Sequence, residues 1–392
     1  MVYASVEDIR LAEKRRLPRI FFDYIDGGSF AEKTLADNTG DFGRWQLEQR
    51  VLVDVSARDL STTILGRQIS LALVLAPVGF SGLFAPRGEI LAARAAHASG
   101  IPFCLSNFGI TSLENIRKAT SGPIWFQLYV LKDKDLAEHF VRRAEHAAVD
   151  ALCFTVDLPT GGVRERDVRN GFRYLSNVTP SLALSLMTRP RWCIDVARHG
   201  IPTIEHLADR PEFGRNVLEQ AVNLGKQVDS SLNWDVLRRL RDRWKRKLVL
   251  KGVLHVADAA MAADIGVDAI IVSNHGGRQL DCAPSSISVL PEIVTAVGSR
   301  VEVMIDGGIR RGSHIAKALA LGARGVMIGR PYAYGLGAGG ESGVSAVIQL
   351  LATELDVTIA HMGLTNVHDL AGRQAEVLRD SGHRLARHVA LD

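Results

Sequence analysis

The chain has 392 residues, 47% of them apolar and 23% charged, with a net charge of +4. That balance describes an ordinary globular protein, excludes a disordered chain, and carries no aromatic-interleaved basic stripe for nucleic acid. Four scattered cysteines with no C-x-x-C pair point to reduced thiols in a cytoplasm, mostly filling the core, rather than to a disulfide framework or a metal site.

The N-terminus, MVYASVEDIRLAEKRR, is charged within seven residues and has no apolar h-region, so it does not read as a secretory signal. Residues 1–60 read as a helical lead-in. Ile69 to Pro86 carries no charge over eighteen residues, which meets the length of a membrane span. Pro77, Gly79, Gly82 and Pro86 interrupt it, and its first half is of strand type. A buried strand followed by a loop is the reading adopted.

From there, eight short apolar runs follow in order: 71–77, 101–106, 124–129, 151–157, 247–252, 269–274, 301–306 and 325–329. Continuous apolar runs of this length are typical of strands covered on both faces, as in parallel sheets. Helix-like stretches lie between most of them. Residues 89–99 end at Gly100, 257–265 at Gly266, and 313–321 at Gly322, each a helix stop before the next strand. Eight strand–helix units predict an α/β fold of the (β/α)8 TIM-barrel type; a doubly wound sheet, which usually has fewer strands, is the competing architecture. About 90 residues separate the fourth run from the fifth. This insertion, 158–246, has an arginine-rich head and an aromatic segment. The barrel domain is expected over 1–370, with a charged tail at 371–392.

In such a barrel the active site lies at the C-terminal ends of the strands. Here those ends carry Pro77-Val78-Gly79, Ser106, Gln127 with Tyr129, Thr155 with Asp157, Lys251, Ser273 with His275 and Arg278, Asp306-Gly307-Gly308 with Arg310, and Gly329-Arg330. Gathering polar groups on nearly every strand end is costly unless they serve a site. At the last two ends, Gly307 and Gly308 allow backbone N–H groups near an anion, and Arg310 or Arg330 adds charge-assisted hydrogen bonds, so phosphate binding is favoured over plain turns with surface arginines. A formal G-x-G-x-x-G at 335–340 lies too far past its strand to make a dinucleotide turn. His275 can act as a base near neutral pH, with Asp157 to orient its ring; a structural histidine is the bland alternative. Arg164 and Arg278 are candidate bidentate forks for a carboxylate, and Tyr24 and Tyr129 can add phenolic donors.

Taken together, Ser273-Asn-His-Gly-Gly-Arg-Gln-Leu-Asp281, Asp23-Tyr-Ile-Asp-Gly-Gly28, Trp125-Phe-Gln-Leu-Tyr129, Thr155-Val-Asp157, Leu250-Lys-Gly252 and Asp306-Gly-Gly-Ile-Arg-Arg-Gly312 resemble the FMN-dependent α-hydroxy-acid oxidising family. The likeness runs from about residue 3 to residue 370 and most resembles the bacterial respiratory L-lactate branch, through DYIDGGS, APVGFSGL, FTVDLPT and PRWCIDVARHG. The resemblance implies FMN as cofactor and oxidation of an L-2-hydroxy acid, L-lactate first, with His275 as base and Asp157 as its partner. It implies that Arg164, Arg278 and Tyr24 hold the substrate carboxylate and that Tyr129 holds its hydroxyl. Lys251 would lie near flavin N1, and Ser106, Gln127 and Thr155 along the flavin's polar edge. Asp306 would hold the ribityl chain, with Gly308, Arg310, Gly329 and Arg330 around the phosphate.

Gly79 stands where the family's oxidases usually carry alanine, which leans toward a quinone or other respiratory acceptor over oxygen. Phe108 occupies a position that varies with substrate. Its bulk suits a short side chain, although stacking on an aromatic acid such as mandelate is the alternative, as is an oxidase or monooxygenase. His314 replaces a usual aspartate. The resemblance further implies a homotetramer. The segment 182–197 is expected either to lie on the cytoplasmic face of the inner membrane or to form a lid. A barrel that binds flavin without catalysis is the competing class, and the intact His275, Arg278, Arg164 and Tyr129 argue against it.

Overall fold

The computed structural model describes residues 2–129, 131–172, 185–200, 202–371 and 374–381. All eight apolar runs become parallel strands: β1 (Leu73–Leu75), β2 (Phe103–Ser106), β3 (Ile124–Tyr129), β4 (Ala151–Thr155), β5 (Lys247–Val253), β6 (Ala269–Val272), β7 (Glu302–Ile305) and β8 (Gly325–Ile328). They pair in chain order, and β8 closes on β1 to make a barrel. Several end one or two residues before the apolar run does. Asp157, Ser273 and Asp306 therefore stand just beyond the ladder, at the start of the loops.

A helix follows each strand: Gly88–Ala98, Leu113–Ala119, Lys134–His146, Trp234–Arg243, Val256–Ile265, Ser286–Val297, Gly312–Ala320 and Arg330–His361. Local chemistry starts and stops them. Ser112, Asp133 and Asn233 cap their helices by accepting a backbone N–H, and Gly266 ends another in the left-handed conformation. This is the expected (β/α)8 barrel.

Side-chain alternation along the strands divides the core in two. Val74, Cys104, Trp125, Cys153, Val249, Ile271, Met304 and Met327 point into the barrel and form one buried cluster, closed from below by Ile64 and Ile69. Their neighbours, such as Leu73, Leu105, Phe126, Leu152, Leu250 and Val303, face the helices in a second cluster. Cys104 and Cys153 are thus core filler, whereas Cys193 is half-buried and Cys282 is exposed.

The lead-in is helical only in its first part, as Val6–Arg16, Arg19–Asp26 and Lys33–Gly40. Beyond a short 3-10 turn the chain is extended. Trp45–Leu47 pairs with Leu378–Asp380, and Thr62–Ile64 with Arg67–Ile69. The run Val51-Leu-Val-Asp-Val55 contains β-branched residues that disfavour helix. The expected tail therefore contributes a strand before residue 382, and its remainder lies outside the described residues. Within 158–246 there are helices at Glu165–Asn170, Pro190–His199 and Val217–Lys226, while Trp234–Arg243 is the barrel's own fourth helix. The extra material proper thus lies between Leu158 and Asn233.

Ile69–Pro86 is strand and loop, as read. Arg330–His361 is, among the described residues, long and apolar enough to cross a membrane. It is broken at Gly339 and Gly340, and Tyr332, Leu336, Val347, Leu351 and Leu355 pack into the core. The glycines at 335–340 serve this packing: a Cβ on Gly335 would stand 2.6 Å from the Gly343 carbonyl.

Candidate active site

The same alternation that fills the barrel with apolar side chains builds the site. Two residues beyond six of the eight inward apolar positions, the strand end presents a polar group to the same axis. Cys104 leads to Ser106, Trp125 to Gln127 and Tyr129, Cys153 to Thr155 and Asp157, Val249 to Lys251, Ile271 to Ser273 and His275, and Met304 to Asp306. A cavity of about 1040 Å³ opens above this ring. It is lined by Tyr24, Pro77, Val78, Gly79, Ser106, Phe108, Tyr129, Arg164, Lys251, His275, Arg278, Asp306, Gly307, Gly308, Arg310, Gly329 and Arg330. Gln127, Thr155, Asp157 and Ser273 stand behind these residues.

His275 is held from both sides. Nδ1 lies 3.0 and 3.1 Å from the two Asp157 oxygens, and Nε2 lies 3.3 Å from the Tyr129 hydroxyl. Its backbone N–H donates to Ser273 Oγ at 3.0 Å. The chain turns here through three successive left-handed residues, His275, Gly276 and Gly277, with φ of 57°, 65° and 73°. Strain at a non-glycine residue is the kind of cost found at functional sites. Space for Asp157 comes from β5. Gly252 sits at a bulge with φ 105°, where a Cβ would come within 2.6 Å of the Asp157 side chain. Burial works against the Asp157 charge, but the His275 ring and the Lys251 ammonium outweigh it and hold the carboxyl below its ordinary range. Burial, with Asp157 nearby, pushes the Tyr129 phenol well up, so it stays a hydrogen-bond donor.

Lys251 is 3% exposed; Nζ lies 2.7 Å from Asp306 Oδ2 and donates to Ser273 Oγ at 2.9 Å. Burial disfavours its charge, yet Asp306 and Asp157 together raise its pKa. It is a fixed buried cation.

Two arginines flank Tyr24. The guanidinium carbons of Arg164 and Arg278 lie 5.4 and 5.0 Å from the ring centroid. Arg278 Nη1 donates to the Tyr24 and Gly27 carbonyls at 2.7 and 2.9 Å, which locks its direction. Burial and the neighbouring Arg164 lower the Arg278 pKa. Arg164 Nε donates to Asp167 Oδ2 at 2.5 Å. Asp167 escaped the sequence reading, although its place three residues after Arg164 on a helix was a usable signal.

At the far end, Gly307 and Gly308 follow β7 in left-handed conformation, beside Arg310 and the start of the helix after β8. Arg330 is directed differently from the simple expectation. Its Nε, Nη1 and Nη2 donate to the Ile25, Gly276 and Gly27 carbonyls at 3.0, 2.8 and 2.8 Å. Each of these nitrogens contributes one bond, so two of its five N–H groups remain for an anion. Burial and Arg278 lower its pKa to about 9, which leaves it charged at neutral pH. His314 stacks on Phe42 at 4.2 Å and faces the Gly308 carbonyl; burial lowers its pKa to about 4, so it is neutral.

Residues 216–228 also reach the cavity mouth, with Asn216, Glu219, Val222 and Asn223 among the lining groups. These were not singled out from sequence, because their contact with the site is made only in the folded chain.

The model of the family described as FMN-dependent dehydrogenase matches residues 13–378. The L-lactate dehydrogenase of Caulobacter vibrioides (strain NA1000 / CB15N) is 45% identical over 97% of this chain and 98% of its own length. The (S)-mandelate dehydrogenase of Pseudomonas putida is 40% identical over 94% of this chain and 92% of its own. A crystal structure of a monotopic membrane protein, (S)-mandelate dehydrogenase, superposes with a TM-score of 0.92 at 38% identity, covering 97% of this chain and all of that one.

The polar ring fits FMN on independent grounds. Gln127 Nε2, Thr155 Oγ1 and Asp306 Oδ1 are buried without a hydrogen-bond partner, each of which would cost about 1–3 kcal/mol if left so. The three are two residues past inward-facing barrel side chains, around one cavity, and comprise a donor, an acceptor and a hydroxyl that is either. A flavin's alternating carbonyl and ring-nitrogen edge, its ribityl hydroxyls and its phosphate match that set. By sequence, by fold and by the chemistry of its buried ring, the chain belongs to the FMN-dependent dehydrogenase family.

Proposed function

We propose that the protein oxidises a short L-2-hydroxy acid, L-lactate first among them, to the 2-keto acid and passes the electrons to a quinone or another respiratory acceptor. The observation that carries this is the placing of His275 Nε2 and the Tyr129 hydroxyl 3.3 Å apart at a cavity that Arg164 and Arg278 also line. Arg164 and Arg278 bind the substrate carboxylate, which a guanidinium can take bidentately. Tyr129, kept protonated, hydrogen-bonds the hydroxyl oxygen. His275 receives one of the two hydrogens that the substrate loses, as a proton, and Asp157 stabilises the resulting imidazolium and fixes its orientation. FMN, when bound, would supply the oxidant, accepting the two electrons and the second of the two hydrogens that the substrate loses. Lys251 supplies a buried positive charge beside Asp306 and Ser273, where it would favour negative charge on a bound flavin. Ser106, Gln127 and Thr155 would hold the flavin's edge. Pro77, Val78 and Gly79 form the wall against it, and Gly307, Gly308, Arg310, Gly329 and Arg330 form the phosphate end.

Phe108 supports the choice of a small acid. Its ring centroid lies 5.0 Å from that of Tyr129 and 6.1 Å from that of Phe80, so it narrows the pocket beside the hydroxyl donor. An aromatic acid is the second reading, favoured by the likeness to solved (S)-mandelate dehydrogenase. Membrane contact is supported by Met187 and Ile194, which are 76% and 48% exposed on the insertion. Trp192 turns inward, donating to the Leu83 carbonyl at 3.0 Å and packing on Phe21. That docking favours a fixed contact surface over a lid for residues 185–197; 182–184 lie outside the described residues.

The test is anaerobic reduction of the holoenzyme by L-lactate, glycolate and (S)-mandelate, followed by reoxidation with oxygen or a water-soluble quinone. L-lactate should bleach the flavin fastest, and the quinone should restore it faster than air. Failure of all three acids to bleach it would overturn the reading; fastest bleaching by mandelate would install the second one.

A further inference from the structure

Asp26 closes the helix Arg19–Asp26 and is 6% exposed, yet it does not line the cavity. Its oxygens collect donors from three separate segments. Oδ1 accepts from Arg10 Nε at 2.5 Å and from the Tyr334 hydroxyl at 2.9 Å. Oδ2 accepts from Arg10 Nη2 at 2.9 Å and from Arg166 Nη1 at 2.8 Å. Arg166 also donates to Glu32, whose other oxygen accepts the Gly28 N–H at 2.9 Å. The segment from Asp26 to Glu32 thus grips the insertion at one arginine.

The neighbours of these two residues are what make the grip matter. Two positions before Asp26 is Tyr24; two positions before Arg166 is Arg164, the N-cap of the helix Glu165–Asn170. Arg164 and Arg278 both stand against the Tyr24 ring, and Arg278 is itself tied to the Tyr24 and Gly27 carbonyls at the end of the Asp26 helix. One arm of the fork therefore belongs to the barrel and is fixed to this helix end. The other belongs to the insertion and reaches the same helix end through Arg166 and Asp26.

We infer that Asp26 is a positioning residue for the substrate-carboxylate fork: its pairing with Arg166 sets where the insertion's Arg164 stands relative to Tyr24 and Arg278. The inference rests on the proposal above that the substrate is a carboxylate. A fork that holds the carboxylate before and during the reaction contributes uniform binding, so loosening it raises KM and leaves kcat nearly unchanged. Arg10 supplies the control. It donates twice to the same carboxylate but leads back to the helix Val6–Arg16, away from Arg164.

The experiment measures KM and kcat for L-lactate, and the dissociation constant of oxalate from its perturbation of the flavin spectrum, on FMN-loaded D26N, R166M, R166K and R10A proteins, with thermal melts. D26N and R166M should raise KM and the oxalate constant about tenfold with kcat within about twofold, roughly the loss of part of one charge-assisted hydrogen bond. R166K should recover part of the shift, and R10A should lower the melting temperature with KM unchanged. Should D26N fail to fold, R166M carries the same test. Unchanged KM and oxalate binding in R166M, or an equal rise in R10A, would overturn the inference and leave a stability cluster. Wild-type protein that no 2-hydroxy acid reduces would instead overturn the functional reading, and this inference with it.

Discussion

The rim of strands β4 to β6 and the insertion between Leu158 and Asn233 meet at one cavity, but they are built in opposite ways. On the rim, Asp157, Lys251 and His275 each continue a strand whose inward side chains are fully buried, and each is held by a second polar group at about 3 Å. The insertion supplies Arg164 and the residues at the mouth from short helices; Arg164 pairs with Asp167 of the insertion itself, and Arg166 with Asp26 of the N-terminal lead-in. The rim's geometry follows from the barrel. The insertion's geometry depends on which segments it happens to touch. The lesson is a division of tasks: proton transfer sits on rigid strand ends, while carboxylate binding, access and surface contact are shared with a region that can vary without disturbing the barrel.

That division can be broken by substitution. The largest effect among the carboxylate and support residues is expected for Arg278→Met, which removes a buried fork fixed to the lead-in; kcat/KM should fall about a thousandfold, roughly the loss of two charge-assisted hydrogen bonds at once. A change under tenfold would place the carboxylate elsewhere. Asp157→Asn keeps the ring's neighbour in place but removes the charge that stabilises its protonated form. Its kcat should fall about a hundredfold while FMN content holds, as read from the visible spectrum; an unchanged kcat would make Asp157 a mere spacer.

How far the sequence alone reached follows the same line. The strand-end groups were legible because each is two residues past an inward apolar position in a local run, as with Val249 and Lys251 or Ile271 and Ser273. His275 and Arg278 are legible in the same way, just past their own strand end. The family resemblance placed FMN and Gly79. The contacts of the insertion were not legible, because they join residues far apart in the chain. Asp26 meets Arg166 across 140 positions, and Trp192 meets Leu83 across 109. No periodicity or spacing encodes such pairs. The bulge at Gly252 lay within a quoted motif, yet its reason, room for Asp157, appears only once β4 and β5 are side by side. The helical expectation for 1–60 fails beyond Gly40, where Val51, Val53 and Val55 bring β-branched side chains that disfavour helix.

Smaller effects sharpen the comparison. A Cβ on Gly79 would stand 3.2 Å from Phe108 Cβ and 3.6 Å from the Tyr24 hydroxyl, so Gly79→Ala requires Phe108 to shift by a few tenths of an ångström. It should change kcat for lactate by a few fold and speed reoxidation by air; no change in the oxygen rate would remove Gly79 from the choice of acceptor. The smallest catalytic effect is expected on the outer face. Met187→Glu with Ile194→Glu should abolish sedimentation with anionic vesicles while kcat with a soluble acceptor stays within about twofold. Retained vesicle binding would move the contact surface elsewhere.

The central claim, that His275 is the base of a 2-hydroxy-acid oxidation, is tested most directly by anaerobic stopped-flow reduction of His275→Gln holoenzyme with L-lactate. The account predicts a protein that keeps its yellow flavin and its oxalate affinity, and whose bleaching is slower than wild type by at least about a hundredfold. Bleaching at the wild-type rate would contradict it.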